Sequence, residues 1–319
     1  KLIGISGELN DNDSGNEDKI KLIDGYSKIP LKQLLDKYFA NDNLKKLIGS
    51  QGTYNPKANV VHMAFLWNVM SVEGIWFPSC GIDGLVKRLT KIIIAEGGTI
   101  LKNQSIEEII VEDGKATGVK TSKNETFKAN WVISNADYKQ TVLDLINPTY
   151  ISENQLQNVE QTPYTGSEFC VFLGIDPRKV NLSKIRADHL FYRSKFNNSS
   201  DPEDFQDKEI EICLWSSKRD SYVPGGMQSL VLRVNMPYSH FKKYWKAPFK
   251  RKGEYNQIKK TLVDKLIDVV EEVLPGLKSA IIVEDAGTPL TYFDFTGRHR
   301  GSVAGWTRDL KKMHLQGKY

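Results

Sequence analysis

A short polar run that directly follows an apolar one is the stretch of this sequence best suited to hold a ligand. Trp131, Val132 and Ile133 form a continuous apolar run that predicts a strand buried on both faces, and Ser-Asn-Ala-Asp follows at 134–137. Small polar residues beyond the carboxyl end of a strand leave room for a flat or charged ligand. The same residues are also typical of a helix N-cap before Tyr138, so both interpretations stay open.

Other residue types that carry chemistry do not fall into a catalytic pattern. The sequence shows no Ser-His-Asp, Cys-His or paired-carboxylate constellation. The three cysteines, Cys80, Cys170 and Cys213, have neither metal-ligand spacing nor the even number of a disulfide framework. We therefore expect no metal site, and we expect a reducing compartment such as the cytoplasm.

The elements around residues 131–137 follow from local patterns. Leu85, Leu89, Ile92 and Ile93 recur at helical spacing, and Gly-Gly at 97–98 ends this helix before a predicted strand at 99–101. Asp-Gly at 113–114, between runs rich in β-branched residues, predicts a tight hairpin because glycine adopts positive φ without strain. The predicted order is helix, strand, hairpin and buried strand.

The rest of the chain divides into helical and strand-rich parts. Residues 20–78 look helical, and the apolar part of this region, 59–77, could be either a core helix or the wall of an apolar pocket. Alternating apolar runs between 167 and 236 predict four strands of a largely antiparallel sheet. A long helix is predicted at 256–273, before Pro-Gly at 275–276.

Composition is that of a folded domain with a packed core. The chain has 319 residues, 40% of them apolar, and a net charge of +5, and no apolar run is long enough to cross a bilayer. Residues 241–255 interleave cations with aromatic side chains. This stretch could bind nucleic acid, contact a membrane surface or form a solvated helix face; the last is the commonest, and we expect no nucleic-acid binding.

Two separated segments carry a resemblance to a known family. Residues 73–137, "EGIWFPSCGIDGLVKRLTKIIIAEGGTILKNQSIEEIIVEDGKATGVKTSKNETFKANWVISNAD", resemble the middle of the phytoene desaturase, carotenoid isomerase and retinol saturase family of amine-oxidase-like flavoproteins. Residues 287–306, "GTPLTYFDFTGRHRGSVAGW", resemble a second family segment that approaches the flavin. The two matches occur in the family's order.

The chain also departs from that family. The family opens with a strand, a Gly-x-Gly-x-x-Gly turn and a helix that hold the flavin pyrophosphate, and no such fingerprint is present here. The family's last flavin-binding segment is missing as well, so we expect a central fragment. Cys80 stands where the family usually has glycine, which leaves the backbone near the flavin in question.

The resemblance implies an α/β fold in which a doubly wound FAD-binding domain is only partly present beside an α+β substrate domain. Residues 1–78 would be the helical part of the substrate domain, 79–145 part of the FAD-binding domain, 146–286 the substrate domain with its mainly antiparallel sheet, and 287–319 a return toward the FAD-binding domain. The implied partner is an apolar small molecule. We expect a cytoplasmic protein that could also lie at a membrane surface.

The implied function is FAD-dependent redox chemistry on a polyprenoid or carotenoid, by desaturation, saturation or cis-trans isomerisation. The protein would supply a dry apolar tunnel while the flavin performs hydride or electron transfer. Two alternatives stay open: a non-catalytic module that binds an apolar ligand, and an amine or protoporphyrinogen-type flavin oxidase.

Site residues follow from the resemblance position by position. Residues expected to contact FAD are Ser105, Asn135, Ala136, Gly301, Ala304 and Gly305. Residues expected to line the flavin and substrate cavity are Trp76, Phe77, Pro78, Cys80, Gly81 and Ile82. Ordinary core or loop roles remain open for both groups.

Overall fold

Helices form the amino-terminal part of the chain, as the sequence predicts. The computed structural model describes residues 16–49, 58–69, 74, 78–185, 187–214 and 224–305. The first five described helices are α1 (Asn16–Ser27), α2 (Leu31–Tyr38), α3 (Asp42–Ile48), α4 (Val60–Asn68) and α5 (Gly81–Ala95). The Asn41 and Asn59 side chains begin α3 and α4 by accepting backbone N–H groups that the first turn leaves unpaired.

A small antiparallel sheet follows α5. Its strands, in spatial order, are β1 (Ile106–Glu112), β2 (Lys115–Thr121) and β3 (Thr126–Lys128). Asp113 and Gly114 both have positive φ, 49° and 73°, which is the pairing that a type I′ turn requires. The predicted hairpin is therefore confirmed.

The two strands predicted on either side of this hairpin do not form. Residues 99–101 and 131–133 have no strand pairing, and Trp131 and Ile133 are 86% and 92% exposed. An apolar run becomes a buried strand only where other elements pair with it and cover it. Within the described residues nothing does so, and the prediction of a buried strand at 131–133 is wrong for this chain.

Helix α5 is exposed in the same way. None of its described side chains is buried, although its sequence is strongly apolar. Its exposed aliphatic residues are Ile82, Leu85, Val86, Leu89, Ile92, Ile93 and Ile94. Ile100, Leu101, Trp131 and Ile133 are exposed as well.

The main sheet has five strands in the order β10-β4-β7-β6-β5, and every neighbouring pair is antiparallel. The strands are β4 (Glu168–Ile175), β5 (His189–Tyr192), β6 (Ile210–Leu214), β7 (Gln228–Asn235) and β10 (Ile281–Gly287). Four of these strands are the ones that alternation in the sequence predicts. The fifth, β10, pairs with β4 at the opposite edge from β5.

One face of this sheet packs against the long helix α9 (Tyr255–Glu271). Alternate residues of β4, β6 and β7 are fully buried there, among them Phe169, Ile212 and Leu232, and α9 contributes Leu262 and Leu266 to the same core. This face holds the larger part of the described core. Packing on this face fixes the position of the sheet and therefore the positions of the residues on its opposite face.

Short elements complete the chain. They are α6 (Tyr138–Gln140), α7 (Glu153–Gln161), α8 (Tyr238–Lys242), β8 (Trp245–Ala247), β9 (Lys250–Arg251), α10 (Leu277–Ala280) and α11 (Pro289–Thr296). The stretch 241–255 is thus the end of α8, a two-stranded hairpin and the start of α9, and its interpretation as a solvated helix face is wrong. Within the described residues, none of the helices combines the length and apolarity that crossing a bilayer requires.

A pair of matched substitutions tests which helix belongs to the core. Leu262→Ala in α9, where the side chain is fully buried, should lower the free energy of unfolding by about 2–5 kcal/mol through lost burial and a new cavity. Leu89→Ala in α5, where leucine is 52% exposed, should cost less than about 1 kcal/mol. Urea unfolding of this chain measures both, and equal losses would contradict the fold described.

Candidate functional site

Two segments far apart in sequence meet at the start of β4. The backbone N–H of Thr165 donates to the carbonyl of Gly305 at 2.8 Å, and that of Val303 donates to the carbonyl of Gly166 at 3.1 Å. The Thr165 hydroxyl also accepts from the N–H of Ala304 at 3.1 Å. These bonds fix residues 303–305 beside the entrance to the main sheet.

A small cleft lies where this junction meets the turn that follows residue 136. Its volume is about 10 Å³, which holds one water molecule at most, so a larger ligand could only lie across its open mouth. The residues that line it are Asp137, Tyr138, Lys139, Pro163, Tyr164, His299 and Gly305. The fold thus brings together the two segments that the sequence analysis assigned to the cofactor.

The polar run at 134–137 begins a helix. The Asp137 carboxylate accepts from the backbone N–H groups of Lys139 and Gln140 at 2.9 and 3.2 Å, which is an N-cap. The cap interpretation of this run is confirmed, and the strand-end interpretation is wrong. Asn135 and Ala136 stay exposed next to the cleft, where a ligand could reach them.

Three residues of the segment 287–306 were predicted to contact FAD, and they differ in their structural roles. A β-carbon on Gly301 would collide with the carbonyl oxygen of Pro289, so this glycine is required by packing against α11. Gly305 also has positive φ, 75°, but no atom of the described residues lies within 4 Å of where its β-carbon would be. Ala304 is exposed. Of these three, Gly305 offers the open backbone that a cofactor needs.

Ser105 lies immediately before β1 and is exposed. Its carbonyl oxygen already accepts the backbone N–H of Ser122 at 2.9 Å. The Ser105 carbonyl is therefore already used within the small sheet. Its role at the cofactor remains a prediction.

The turn at 78–82 has ordinary geometry despite the cysteine. Cys80 has φ of −93°, and the positive φ falls on Gly81, whose N–H donates to the carbonyl of Pro78 at 2.9 Å. Cys80 and Ile82 are exposed, and Pro78 is half-buried. The replacement of the family's glycine therefore costs no backbone strain. Trp76 and Phe77, predicted to line the cavity, lie outside the described residues.

The second face of the main sheet carries a cluster that the sequence analysis missed. Because strand side chains alternate, residues between the core positions of β4, β5, β6 and β7 share the face opposite α9. We call this cluster the polar face, and its members are Glu168, Cys170, His189, Glu211, Cys213 and Arg233. Polar residues at every second position of otherwise apolar strands were the available signal.

An ion-pair chain runs across the polar face. The Arg233 guanidinium lies 2.8 Å from one Glu211 oxygen through Nη2 and 3.2 Å from a Glu168 oxygen through Nε. His189 Nε2 contacts the second Glu211 oxygen. Burial raises the pKa of Glu168, and Arg233 opposes this by favouring the carboxylate. Glu168 is thus a half-buried carboxyl whose pKa lies above its usual range.

The two thiols of the polar face are not nucleophiles at neutral pH. Burial raises the pKa of Cys170 to about 11 and that of Cys213 to about 12. Cys170 Sγ lies 2.9 Å from the hydroxyl of Tyr292, whose pKa burial raises as well. Both groups stay protonated, so they can exchange a hydrogen bond but cannot attack a substrate.

His189, Glu211 and Cys213 place three potential metal-ligand atoms within 4.8 Å of one another. The guanidinium of Arg233 already binds Glu211, and the Cys213 thiol retains its proton. A metal ion would have to displace the first and deprotonate the second, so we interpret the trio as part of the ion-pair chain.

The ends of the cleft carry cationic and aromatic groups. Arg300 donates to the Tyr164 hydroxyl at 3.0 Å, and its guanidinium carbon lies 5.3 Å from the centre of that ring. His299 packs edge-on against Tyr164, and burial with the nearby Lys139 and Arg300 charges lowers its pKa. His299 is therefore neutral at pH 7, while Lys139 and Arg300 supply positive charge.

Breaking the ion-pair chain should destabilise the sheet. Arg233→Met removes the cation that lies between the Glu168 and Glu211 carboxylates on a half-buried surface, and we expect a loss of about 2–3 kcal/mol in the free energy of unfolding. Lys28→Met is the control, because Lys28 and Asp24 form an ion pair in which both side chains are exposed, and its loss should cost much less. Equal losses in denaturant titrations would contradict the buried network.

Thiol reactivity should separate the cysteines. At pH 8 a thiol of pKa about 11 is thiolate in roughly one molecule in a thousand, so Cys170 and Cys213 should react slowly with a disulfide reagent. The exposed Cys80 should react first. Cys80→Ser should abolish the fast phase, and a fast phase that survives this substitution would show that a sheet thiol is accessible.

Comparisons with known proteins agree with the resemblance. A sequence model of the family described as GDP dissociation inhibitor matches residues 70–149. The chain is 27% identical over 246 residues to a 4,4'-diapophytoene desaturase from Methylomonas sp, which covers 75% of this chain and 46% of that protein. It is 24% identical to the all-trans-retinol 13,14-reductase of Danio rerio, over 95% of this chain and 53% of the relative.

Solved structures show the same fold at low sequence identity. An oxidoreductase from Methanosarcina mazei has a TM-score of 0.57 at 16% identity, covering 88% of this chain and 62% of its own. A putrescine oxidase variant has a TM-score of 0.59 at 12% identity, covering 99% and 64%. The chain spans about half the length of the curated relatives it matches. In sequence the chain is therefore similar to a polyene desaturase and a retinol reductase, and in fold it is similar to solved oxidoreductases.

Proposed function

We propose that this chain is part of an FAD-dependent oxidoreductase that acts on an apolar polyprenoid or carotenoid. The observation that carries the proposal is sequence similarity to enzymes named for polyene redox reactions, extending over 75% and 95% of the chain in two of them. The reaction would be desaturation, saturation or cis-trans isomerisation. A cytoplasmic location belongs to the same proposal.

The residues at the cleft fit the edge of a flavin nucleotide. Gly305 offers open backbone, Asn135 and Ala136 are exposed beside it, and Lys139 and Arg300 place positive charge where phosphate groups could lie. FAD, when bound, supplies hydride or electron transfer. Gly301, which packs closely against α11, would hold this segment in position beside the nucleotide edge.

The polar face would supply a group that exchanges a proton, which an apolar substrate pocket otherwise lacks. Removing or adding hydrogen across a carbon-carbon bond moves a proton as well as a hydride, and an apolar substrate has no ionisable group of its own. Glu168 can hold such a proton because burial raises its pKa, and Arg233 holds the carboxylate in place. β4 connects this group to the cleft, because the strand begins directly after residues 164–167.

The division into functional parts follows the two ends of β4. We propose that residues 79–145 and 287–319 belong to the cofactor side, since turns of both line the cleft. Residues 146–286, with the main sheet and α9, would form the substrate side, and the helices of 1–78 would cover it. The exposed apolar surface of α5 and residues 131–133 would then be covered by the rest of the doubly wound domain.

One alternative has an observation of its own. The family model that matches residues 70–149 is named for GDP dissociation inhibitor, and this name does not describe an oxidoreductase. A non-catalytic module that holds an apolar ligand would keep the polar face and lose flavin. An amine or protoporphyrinogen-type oxidase is less favoured, because the putrescine oxidase likeness, at 12% identity, extends to the fold alone.

Flavin retention tests the proposal. The protein expressed from its natural reading frame, mixed with FAD and desalted, should keep visible flavin absorbance and convert a polyprenoid such as phytoene or diapophytoene. Gly305→Ala should lower FAD affinity at least about tenfold, because a methyl group enters the open backbone at strained φ. Gly97→Ala is the matched control, since Gly97 also has positive φ, 80°, with no atom of the described part of the chain within 4 Å of its β-carbon position.

Protein that retains no flavin would overturn the enzyme proposal and leave the binding module. Equal loss of flavin from both glycine variants would show that Gly305 acts only through backbone strain. Retained flavin with turnover of a primary amine and none of a polyprenoid would favour the amine oxidase alternative.

A further inference from the structure

An apolar patch adjoins the polar face on the second face of the main sheet. Phe172 of β4, which is 47% exposed, pairs with Val231 of β7. Val283 of β10, which is 62% exposed, pairs with Gly174, two residues beyond Phe172. We call Phe172, Val231 and Val283 the apolar patch. Strand residues that pair with one another, or that lie two apart, share a face, so the apolar patch and the polar face form one surface.

Polar and apolar groups follow one another along β4. The strand begins beside the cleft with Glu168 and Cys170 and reaches Phe172 afterwards. A β-carbon added at Gly287 would lie 3.8 Å from the Phe172 ring, so this ring covers the end of β10, just before α11. Tyr292 of α11 meets the same surface through its contact with Cys170. The surface therefore has a polar end near the cleft and an apolar end away from it.

The polar end has hydrogen-bonding capacity to spare. Within the described residues, the polar contacts of the Glu168 carboxyl go to Arg233, at 3.2 Å through Nε and 3.5 Å through Nη2, whereas a carboxylate can accept about four hydrogen bonds. The Tyr292 hydroxyl exchanges one hydrogen bond, with Cys170. Glu168 and Cys170 are about 7 Å apart along the strand, so one oxygen atom with a hydrogen bond of about 3 Å to each side fits between Glu168 and Tyr292.

We propose that the substrate of this site is a polyprenoid alcohol, whose hydroxyl lies between Glu168 and Tyr292 and whose chain covers the apolar patch. A hydroxyl can donate to the Glu168 carboxyl and accept from the Tyr292 hydroxyl at the same time. A pure hydrocarbon would cover both groups without replacing their hydrogen bonds to water, which costs free energy. A carboxylate would be repelled by the charges of Glu168 and Glu211.

This inference rests on the proposed function, because that function places a polyprenoid on the sheet face beside the flavin. It narrows the substrate from an apolar chain to a chain with one hydroxyl at the end nearer the cleft. Ligand binding and flavin retention are separate measurements, so the two proposals can fail separately.

Equilibrium dialysis with matched radiolabelled ligands tests the inference. The ligands are geranylgeraniol, the hydrocarbon in which hydrogen replaces its hydroxyl, and geranylgeranic acid. The protein from its natural reading frame, mixed with FAD, should bind the alcohol at least about tenfold more tightly than the hydrocarbon or the acid. The reason is that a site built to hydrogen-bond a hydroxyl leaves its own polar groups unpaired when the ligand lacks one.

Two substitutions separate the hydroxyl contact from the chain contact. Tyr292→Phe should weaken binding of the alcohol by roughly three- to tenfold and leave binding of the hydrocarbon unchanged. Tyr255→Phe is the matched control, because the Tyr255 hydroxyl also exchanges a hydrogen bond, with Thr288 at 3.0 Å, but lies in the core on the other face. Phe172→Ala should weaken both ligands alike through lost apolar contact, and Phe127→Ala, at an exposed position of β3, should weaken neither.

Equal affinity for the alcohol and the hydrocarbon would overturn the inference, as would tightest binding of the acid or an equal loss for both ligands in Tyr292→Phe. Flavin retained through desalting together with equal affinities would leave the proposed function standing and remove the alcohol. A preference for the alcohol in protein that retains no flavin would support the alcohol site and remove the redox reaction.

Discussion

The two-residue period of the main sheet is the constraint on which this structure depends. Along β4, Phe169, Val171 and Leu173 turn toward α9, so Glu168 and Cys170 must turn away from it. The same rule places Glu211 and Arg233 on neighbouring strands of that second face, where their charges meet. A slip of one residue in register would bury these charges in the core and expose the aliphatic side chains, so the core that stabilises the sheet also positions the polar face.

The junction at the start of β4 connects this face to the cleft. Residues 164–167 bond to residues 303–305, and the strand then carries Glu168 and Cys170 onto the polar face. The bond between Cys170 and Tyr292 ties α11 to the sheet from the other side. The cleft and the polar face are therefore parts of one framework, in which the proposed cofactor edge and the Glu168 carboxyl are separated by only a few residues of the chain.

Features that depend on local chemistry could be predicted from the sequence, and features that depend on distant partners could not. Asp113 and Gly114 specify their turn through their own backbone preferences. Four of the five main strands can be predicted from the alternation of apolar and polar residues. The prediction of a buried strand at 131–133 was wrong because apolar residues show that a segment is suited to burial, and they do not show which element covers it. The same limit applies to α5, whose spacing predicts a helix correctly but not what packs on it.

The candidate site shows the same division. Convergence of the turn after Ala136 with Gly305 was anticipated by the family resemblance, whereas the packing role of Gly301 depends on a carbonyl of α11 that no sequence pattern reveals. The ion-pair chain was missed because Glu168, Glu211 and Arg233 come from three strands whose register had to be known first. Its signal, polar residues alternating with aliphatic ones, is visible only when the strands are set side by side.

We propose that the cleft and the polar face serve one flavin, and a crystal structure of the natural polypeptide loaded with FAD would show whether they do. We expect a nucleotide that passes Asn135, Ala136 and Gly305, with its flavin ring turned toward the face that bears Glu168 and Arg233. A flavin bound away from both the cleft and this face would contradict it.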